Sequence, residues 1–189
     1  MKSARMLGVN PDFKRETNDF YATDPNAIEV ALPTLQRIGL QRNVWECACG
    51  QGHIAKVLQD KGYRVKSSDL INRGFGEVQD FLTCTEKFNG DILTNPPFKS
   101  AVAFVRHGMT LLEERAKMFL FLKVQFLESR ARKELFRVHP PKVVAVYSER
   151  QKCAMNGDFK TYCKNANTQC FAWFVFEKGF CGTPQITWI

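Results

Sequence analysis

The sequence predicts an α/β protein in which helices cover a mostly parallel sheet. Two observations predict it. Short β-branched or aromatic runs alternate with amphipathic helical runs along residues 20–147, and three of the strand-like runs end on special residues, Glu46, Asp69 and Asn95. A length of 189 residues fits one domain, and 44% hydrophobic residues suffice to bury a sizeable core. We therefore expect a single domain over 20–189, a basic, turn-rich lead-in over 1–19, and no separate target-recognition domain.

Taken in order, Thr23-Asp24-Pro25 opens a helix, with Pro25 in its first turn and Ile28, Ala31, Leu32 and Leu35 on one face. Gly39 stops it. Asn43 to Cys47 is a short strand entering Ala48-Cys49-Gly50-Gln51-Gly52, and His53 to Lys61 is a helix stopped by Gly62. Tyr63 to Ser68 is a second strand, ending at Asp69. Asp91 to Thr94 is a third, running into Asn95-Pro96-Pro97-Phe98, where two prolines forbid further pairing or an immediate helix. Ala101, Phe104, Val105, Gly108, Met109 and Leu112 mark a helical face. Met118 to Leu122 is a strand buried on both sides, and Glu128 to Val138 is a charged helix. Val143 to Tyr147 and Phe171 to Phe176 are the last clear strands. The polar segment 148–169 between them is an insertion expected to project from one end of the sheet as a lid or binding rim.

Charge narrows the partners. The chain carries 27 Lys and Arg against 19 Asp and Glu, a formal +8, which attracts polyanions and nucleic acid first. Seven cysteines at irregular spacings, with no signal peptide and no apolar run of membrane-spanning length, place the chain in a reduced cytoplasmic compartment. Cys47 and Cys49 form only a CxC, and no ligand doublet accompanies Cys153, Cys163 or Cys170, so no metal site is expected. His53, His107 and His139 have no carboxylate or cysteine at ligand spacing and receive no catalytic role.

The turn from Glu46 to Gly52 carries the first piece of chemistry. Glycines let backbone approach a ligand closely, and the following helix start offers unpaired N–H groups and partial positive charge. Asp69 lies 23 residues beyond Glu46 at the end of the next strand, close to the roughly 20 at which a carboxylate receives ribose hydroxyls. An adenosine-containing ligand fits this spacing. The second piece is Asp91-Ile-Leu-Thr-Asn-Pro-Pro-Phe98. Asn95 supplies a neutral amide oxygen at a strand end, Pro96 and Pro97 stiffen the turn and expose the Pro96 carbonyl, and Phe98 adds a flat apolar face. A conjugated NH2 group is a poor nucleophile because its lone pair is delocalised. Two neutral acceptors on its hydrogens hold it so that the lone pair can meet an electrophile.

Glu46-x-Ala48-Cys49-Gly50-x-Gly52 followed by Asn95-Pro96-Pro97-Phe98 resembles the class I S-adenosylmethionine-dependent amino-methyltransferases, above all the N6-adenine and N4-cytosine DNA methyltransferases. The stretches FYATDPNAIEVALP, NVWECACGQGHIAKVL, SSDLI, QDFL and DILTNPPF, with Ala116 to Arg130, are also similar to small phage or prophage-encoded methyltransferases. The resemblance covers most of residues 20–130, with Ala48 where the first glycine of the cofactor turn usually stands.

The resemblance implies a Rossmann-like fold with a mostly parallel seven-stranded sheet and helices on both faces. It implies S-adenosyl-L-methionine as cofactor, with Glu46, Ala48, Gly50 and Gly52 at its methionine end, and Tyr21, Thr23 and Asp24 flanking the carboxylate. Asp69 would take the ribose hydroxyls, and Asp80 with Phe81 the adenine. Asn95 and the Pro96 carbonyl would hold the target amine, with Phe98 stacked on its base. The implied reaction is adenine N6 methylation of DNA, the base being extruded from the duplex. Without a target-recognition region, specificity falls to 148–169 and to Lys99, Arg106, His107, Lys123, Arg130, Arg132, Lys133 and Arg150 as phosphate contacts. Similar Asn-Pro-Pro-aromatic turns serve methyltransferases of ribosomal RNA bases and of protein glutamine, which are the alternatives. A non-catalytic binding module ranks below them, because the glycine turn, Asp69 and Asn95 are all intact. Trp173 is either core or a base-stacking residue, with core favoured.

Overall fold

A computed structural model describes residues 21–151, 153–155 and 169–189. The lead-in over 1–19 lies outside the described residues, as do positions 152 and 156–168 of the insertion. In chain order the elements are β1 (Tyr21–Thr23), α1 (Pro25–Ile38), β2 (Asn43–Glu46), α2 (His53–Asp60), β3 (Arg64–Asp69), β4 (Glu77–Val78), β5 (Asp91–Thr94) and α3 (Ala101–Leu111). There follow β6 (Lys117–Lys123), α4 (Arg130–Val138), β7 (Val143–Val146), β8 (Cys153–Met155), β9 (Phe171–Glu177) and β10 (Gln185–Trp188).

Local chemistry sets the boundaries. The Asp24 side chain accepts from the Asn26 N–H at 3.0 Å, Pro25 takes the first helical position, and Gly39 ends α1 at φ +98°. The helix runs through Pro33, whose ring faces solvent, because the face carrying Ala27, Ile28, Ala31, Leu32 and Leu35 is buried against the sheet.

Eight strands form one sheet in the order β10-β7-β9-β6-β5-β2-β3-β4. All neighbours are parallel except where β9 pairs with β6 and β7. The expected count was seven. The sequence announces neither edge strand: β4 is two residues long, and β10 alternates Gln185 and Thr187 with the exposed Ile186 and Trp188, so neither shows a buried apolar run. Strands β6 and β9 divide the core by alternation. Met118, Leu120, Leu122, Ala172, Phe174 and Phe176 enter one hydrophobic layer, and Phe119, Phe121, Phe171, Trp173 and Val175 the other. Trp173 is fully buried, and its indole N–H donates to the Tyr147 hydroxyl at 2.7 Å, which in turn donates to the Ala27 carbonyl at 2.6 Å. The core reading of Trp173 holds, and base stacking by it does not.

Chain order reverses between β2, whose next strand β3 lies to one side, and β5 on the other, so a crevice opens above their carboxyl ends. Within the insertion, β8 pairs antiparallel with β1, setting Tyr21 opposite Met155 and Thr23 opposite Cys153. This two-stranded ribbon is separate from the main sheet.

Asp91 braces the opposite end of β5. Its fully buried carboxylate accepts from the Gln41 N–H at 2.8 Å, the Gln41 side-chain amide at 3.0 Å and the Lys117 N–H at 2.7 Å. These bonds tie the entrances of β2, β5 and β6 together. Asp91→Ala leaves three donors unsatisfied, and we expect it to lower stability by about 3 kcal/mol and Tm by roughly 6–12 °C in thermal denaturation.

Candidate functional site

The carboxyl ends of β2, β3 and β5 open into a cleft closed on one side by β1 and on others by the turns Phe81–Thr83 and Phe98–Ser100. Tyr21, Thr23, Glu46, Ala48, Asp69, Asp80, Phe81, Asn95, Pro96, Pro97 and Phe98 all line it. Three expected residues do not: Asp24 is committed to capping α1, and Gly50 and Gly52 build the wall behind the lining.

The glycines act through shape. Gly50 and Gly52 adopt φ +55° and +79°, whereas Ala48 does not have positive φ and an alanine sits there without strain. A side chain at Gly52 would collide with the Phe75 ring at 2.5 Å. The N–H of Gly50 donates to Asp69 Oδ2 at 2.8 Å and that of Gly52 to the Cys49 carbonyl at 2.8 Å. The turn therefore orients Asp69 with its own backbone. Asp69 Oδ1 also accepts from the Ile71 N–H at 2.9 Å, so both carboxylate oxygens are aimed by main chain and keep spare lone pairs.

Glu46 ends β2 and is 1% exposed. Its Oε2 finds no hydrogen-bond partner among the described residues. Burial pushes its carboxyl well above the usual carboxylate range; the Ala55 N–H offsets part of this and the neighbouring Asp69 charge adds to it. The same burial, with Glu46 and Asp69 nearby, pushes the Cys49 thiol up to about 12, so it stays protonated and is no nucleophile at neutral pH.

Asn95 carries the most informative contacts. Its Nδ2 donates to the Tyr21 carbonyl at 2.9 Å and to Thr23 Oγ1 at 3.0 Å, while its Oδ1 is buried and has no partner among the described residues. A peptide carbonyl can only accept, so the NH2 end must face Tyr21 and the oxygen must face away. Phe98 stacks on Tyr21 at 6.0 Å between ring centroids, and Lys123 Nζ sits 5.0 Å from its centroid. Asp80 caps the Phe81–Thr83 turn through the Leu82 N–H at 2.9 Å. Phe81 is 2% exposed and packs on Trp45 and Phe104.

The cleft also contains residues to which sequence reasoning gave no role, among them Cys49, His53, Ile71, Arg73 and Phe104. His53 directly follows Gly52 as the first residue of α2, a position that the turn itself signals. Burial and Lys56 hold its imidazole below the ordinary value, opposed by Asp24. Ile71 follows Asp69 by two residues; nothing in the sequence marks Arg73. Of the expected phosphate contacts, Lys99 lines the cleft, whereas His107 is spent on the Cys84 carbonyl at 2.9 Å and Arg132 on the carbonyls of Gln125 and Glu128.

The sequence matches no protein-family model and no curated protein. Solved structures are similar in fold. A candidate class I S-adenosylmethionine-dependent methyltransferase from Listeria monocytogenes shares 12% identity over 98% of this chain and 68% of its own, with a TM-score of 0.62. A candidate RNA methyltransferase from Pyrococcus horikoshii shares 16% identity over 94% and 96%, with a TM-score of 0.62. Magnesium protoporphyrin IX methyltransferase from Synechocystis, solved with bound S-adenosylmethionine, shares 12% over 82% and 79%, at 0.55. The chain therefore has the class I methyltransferase fold.

Glu46 yields a test through its burial. A carboxylic acid whose folded pKa is raised is unpenalised below its unfolded value and loses stability as pH rises toward the folded value. We expect Glu46→Gln to melt above the parent at pH 8, by roughly 2–4 °C per kcal/mol of ionisation cost removed. The gap should close toward pH 4 in a series of thermal melts, and a gap independent of pH would contradict it.

Proposed function

We propose that the protein is an S-adenosylmethionine-dependent methyltransferase that methylates the exocyclic N6 amino group of adenine in DNA. The observation that carries this reading is the buried Oδ1 of Asn95, without a partner among the described residues and turned away from the two groups that hold its NH2 end, in a cleft shared with Glu46 and Asp69.

The cleft residues fit the cofactor on their own chemistry. The orphaned oxygen of Glu46 and the backbone-oriented carboxylate of Asp69 offer acceptors and negative charge to a cationic, hydroxyl-bearing ligand. Glu46 and Ala48 would hold its methionine end, with Tyr21 and Thr23 nearby. Gly50, Gly52 and Asp24 support that end from behind. Asp69 would take the ribose, and Asp80 and Phe81 would border the adenine. When bound, S-adenosylmethionine supplies an electrophilic methyl on a positively charged sulfur, which leaves as a neutral thioether with the electrons of the broken C–S bond while the amine lone pair forms the C–N bond.

Asn95 Oδ1 and the Pro96 carbonyl would each accept one hydrogen of the target NH2. Both acceptors are neutral, so they orient the amine without removing its proton, which departs to solvent after transfer. Pro97 stiffens the turn, and Phe98 supplies the aromatic wall against which a flat base can lie. The +8 charge and Lys99 at the cleft favour a phosphate-bearing acceptor. RNA is the second reading. It is favoured by the near full-length match of both chains in the Pyrococcus horikoshii comparison.

Asn95→Ala should lower methyl transfer by roughly a hundredfold or more while leaving S-adenosylmethionine binding by calorimetry close to the parent's. Retained turnover would remove the amine-holding role. Incubation with labelled methyl donor and separate pools of duplex DNA, RNA and protein, followed by nucleoside mass analysis, should place the label in DNA as N6-methyladenine. Label in RNA alone would select the second reading.

A further inference from the structure

We infer that Thr23 is a positioning residue for Asn95, its hydroxyl accepting the second amide N–H and so holding the orientation that the Tyr21 carbonyl selects, with the oxygen toward the cleft. This rests on the amine-holding reading of Asn95. The resemblance assigns Thr23 to the cofactor carboxylate, but the contact that its side chain makes is with the Asn95 amide, at 3.0 Å.

A primary amide has two orientations of nearly equal shape and opposite chemistry. In the observed one, both N–H groups are used, one on the Tyr21 carbonyl and one on Thr23 Oγ1, and Oδ1 has no partner among the described residues. In the flipped one, Oδ1 would face the Tyr21 carbonyl oxygen at about the same 2.9 Å separation, two lone-pair-bearing groups in contact. The cleft would then face a donor, which repels an amine hydrogen.

Donation from both N–H groups also shifts electron density toward Oδ1, strengthening it as an acceptor. Thr23 is 2% exposed, so water does not compete for the bond. The positions of Tyr21 and Thr23 are set by the pairing of β1 with β8, which places Thr23 opposite Cys153. The insertion therefore braces the site from its rim. Tyr21 contributes through main chain and cannot be deleted by mutation; Thr23 can.

Thr23→Val keeps the shape and removes the hydroxyl, and Thr23→Ser keeps the hydroxyl. We expect the valine variant to lose about tenfold in kcat, equivalent to 1.4 kcal/mol, with KM for cofactor and acceptor within about twofold, and the serine variant to recover most of the loss. Side-chain amide hydrogen exchange at Asn95, followed by NMR, gives a readout independent of turnover. One of the two NH2 protons should lose protection in Thr23→Val and regain it in Thr23→Ser. Unchanged kcat and exchange in Thr23→Val would overturn the inference, as would equal losses in both variants. If the parent protein transfers no methyl to any nitrogen acceptor yet the exchange pattern holds, the function is wrong and the positioning role of Thr23 stands.

Discussion

The hydrogen bond from the Asn95 amide to the Tyr21 carbonyl sets the chemistry of the whole cleft. It joins the end of β5 to a three-residue strand 74 positions earlier in the chain, and it fixes which end of a nearly symmetric side chain meets a ligand. Strand β5 itself is held at its other end by the buried Asp91, so the segment Asp91–Asn95 is pinned at both ends by polar contacts and packed between them. A reacting group can be held to within a fraction of an ångström only from such a rigid support. The fold provides it at the switch point of the sheet, where the connections leaving the parallel strands β2 and β5 run to opposite sides.

Stability and function pull apart at Glu46. A carboxyl buried to 1% exposure with one oxygen unpaired among the described residues is a poor choice for a core and a good one for a site that receives a cation. The thiols beside it, Cys47 and Cys49, stay protonated for the same reason and serve as small apolar fillers. The cleft thus keeps its reactive capacity in oxygen acceptors, which suits holding an amine and a cationic donor together.

Much of this was legible in the sequence because it rests on local signals. Glycines at 50 and 52, the paired prolines at 96 and 97, and acids at strand ends mark the site, and alternation in Met118–Leu122 and Phe171–Phe176 marks the central strands. The illegible parts depend on long-range contact. β1 and β8 are three residues each and exist through pairing with one another across more than a hundred positions. β10 is largely exposed, its Ile186 and Trp188 included, so no buried apolar run marks it. The use of the Gly50 N–H on Asp69 rather than on a ligand, and the consumption of His107 by a carbonyl, require knowing what lies opposite in space. Thr23 lines the cleft, and its hydrogen bond with Asn95, 72 positions away in the chain, is another contact that local signals do not reveal.

The central claim concerns one oxygen atom, and a crystal structure of the protein with a non-reactive cofactor analogue and an adenine-containing oligonucleotide tests it most directly. The account predicts Asn95 Oδ1 at roughly 3 Å from the N6 amino nitrogen of an unstacked adenine, with Nδ2 still bound to Tyr21 and Thr23. An amide turned to present Nδ2 to the ligand, or an oligonucleotide bound with no base in the cleft, would contradict it.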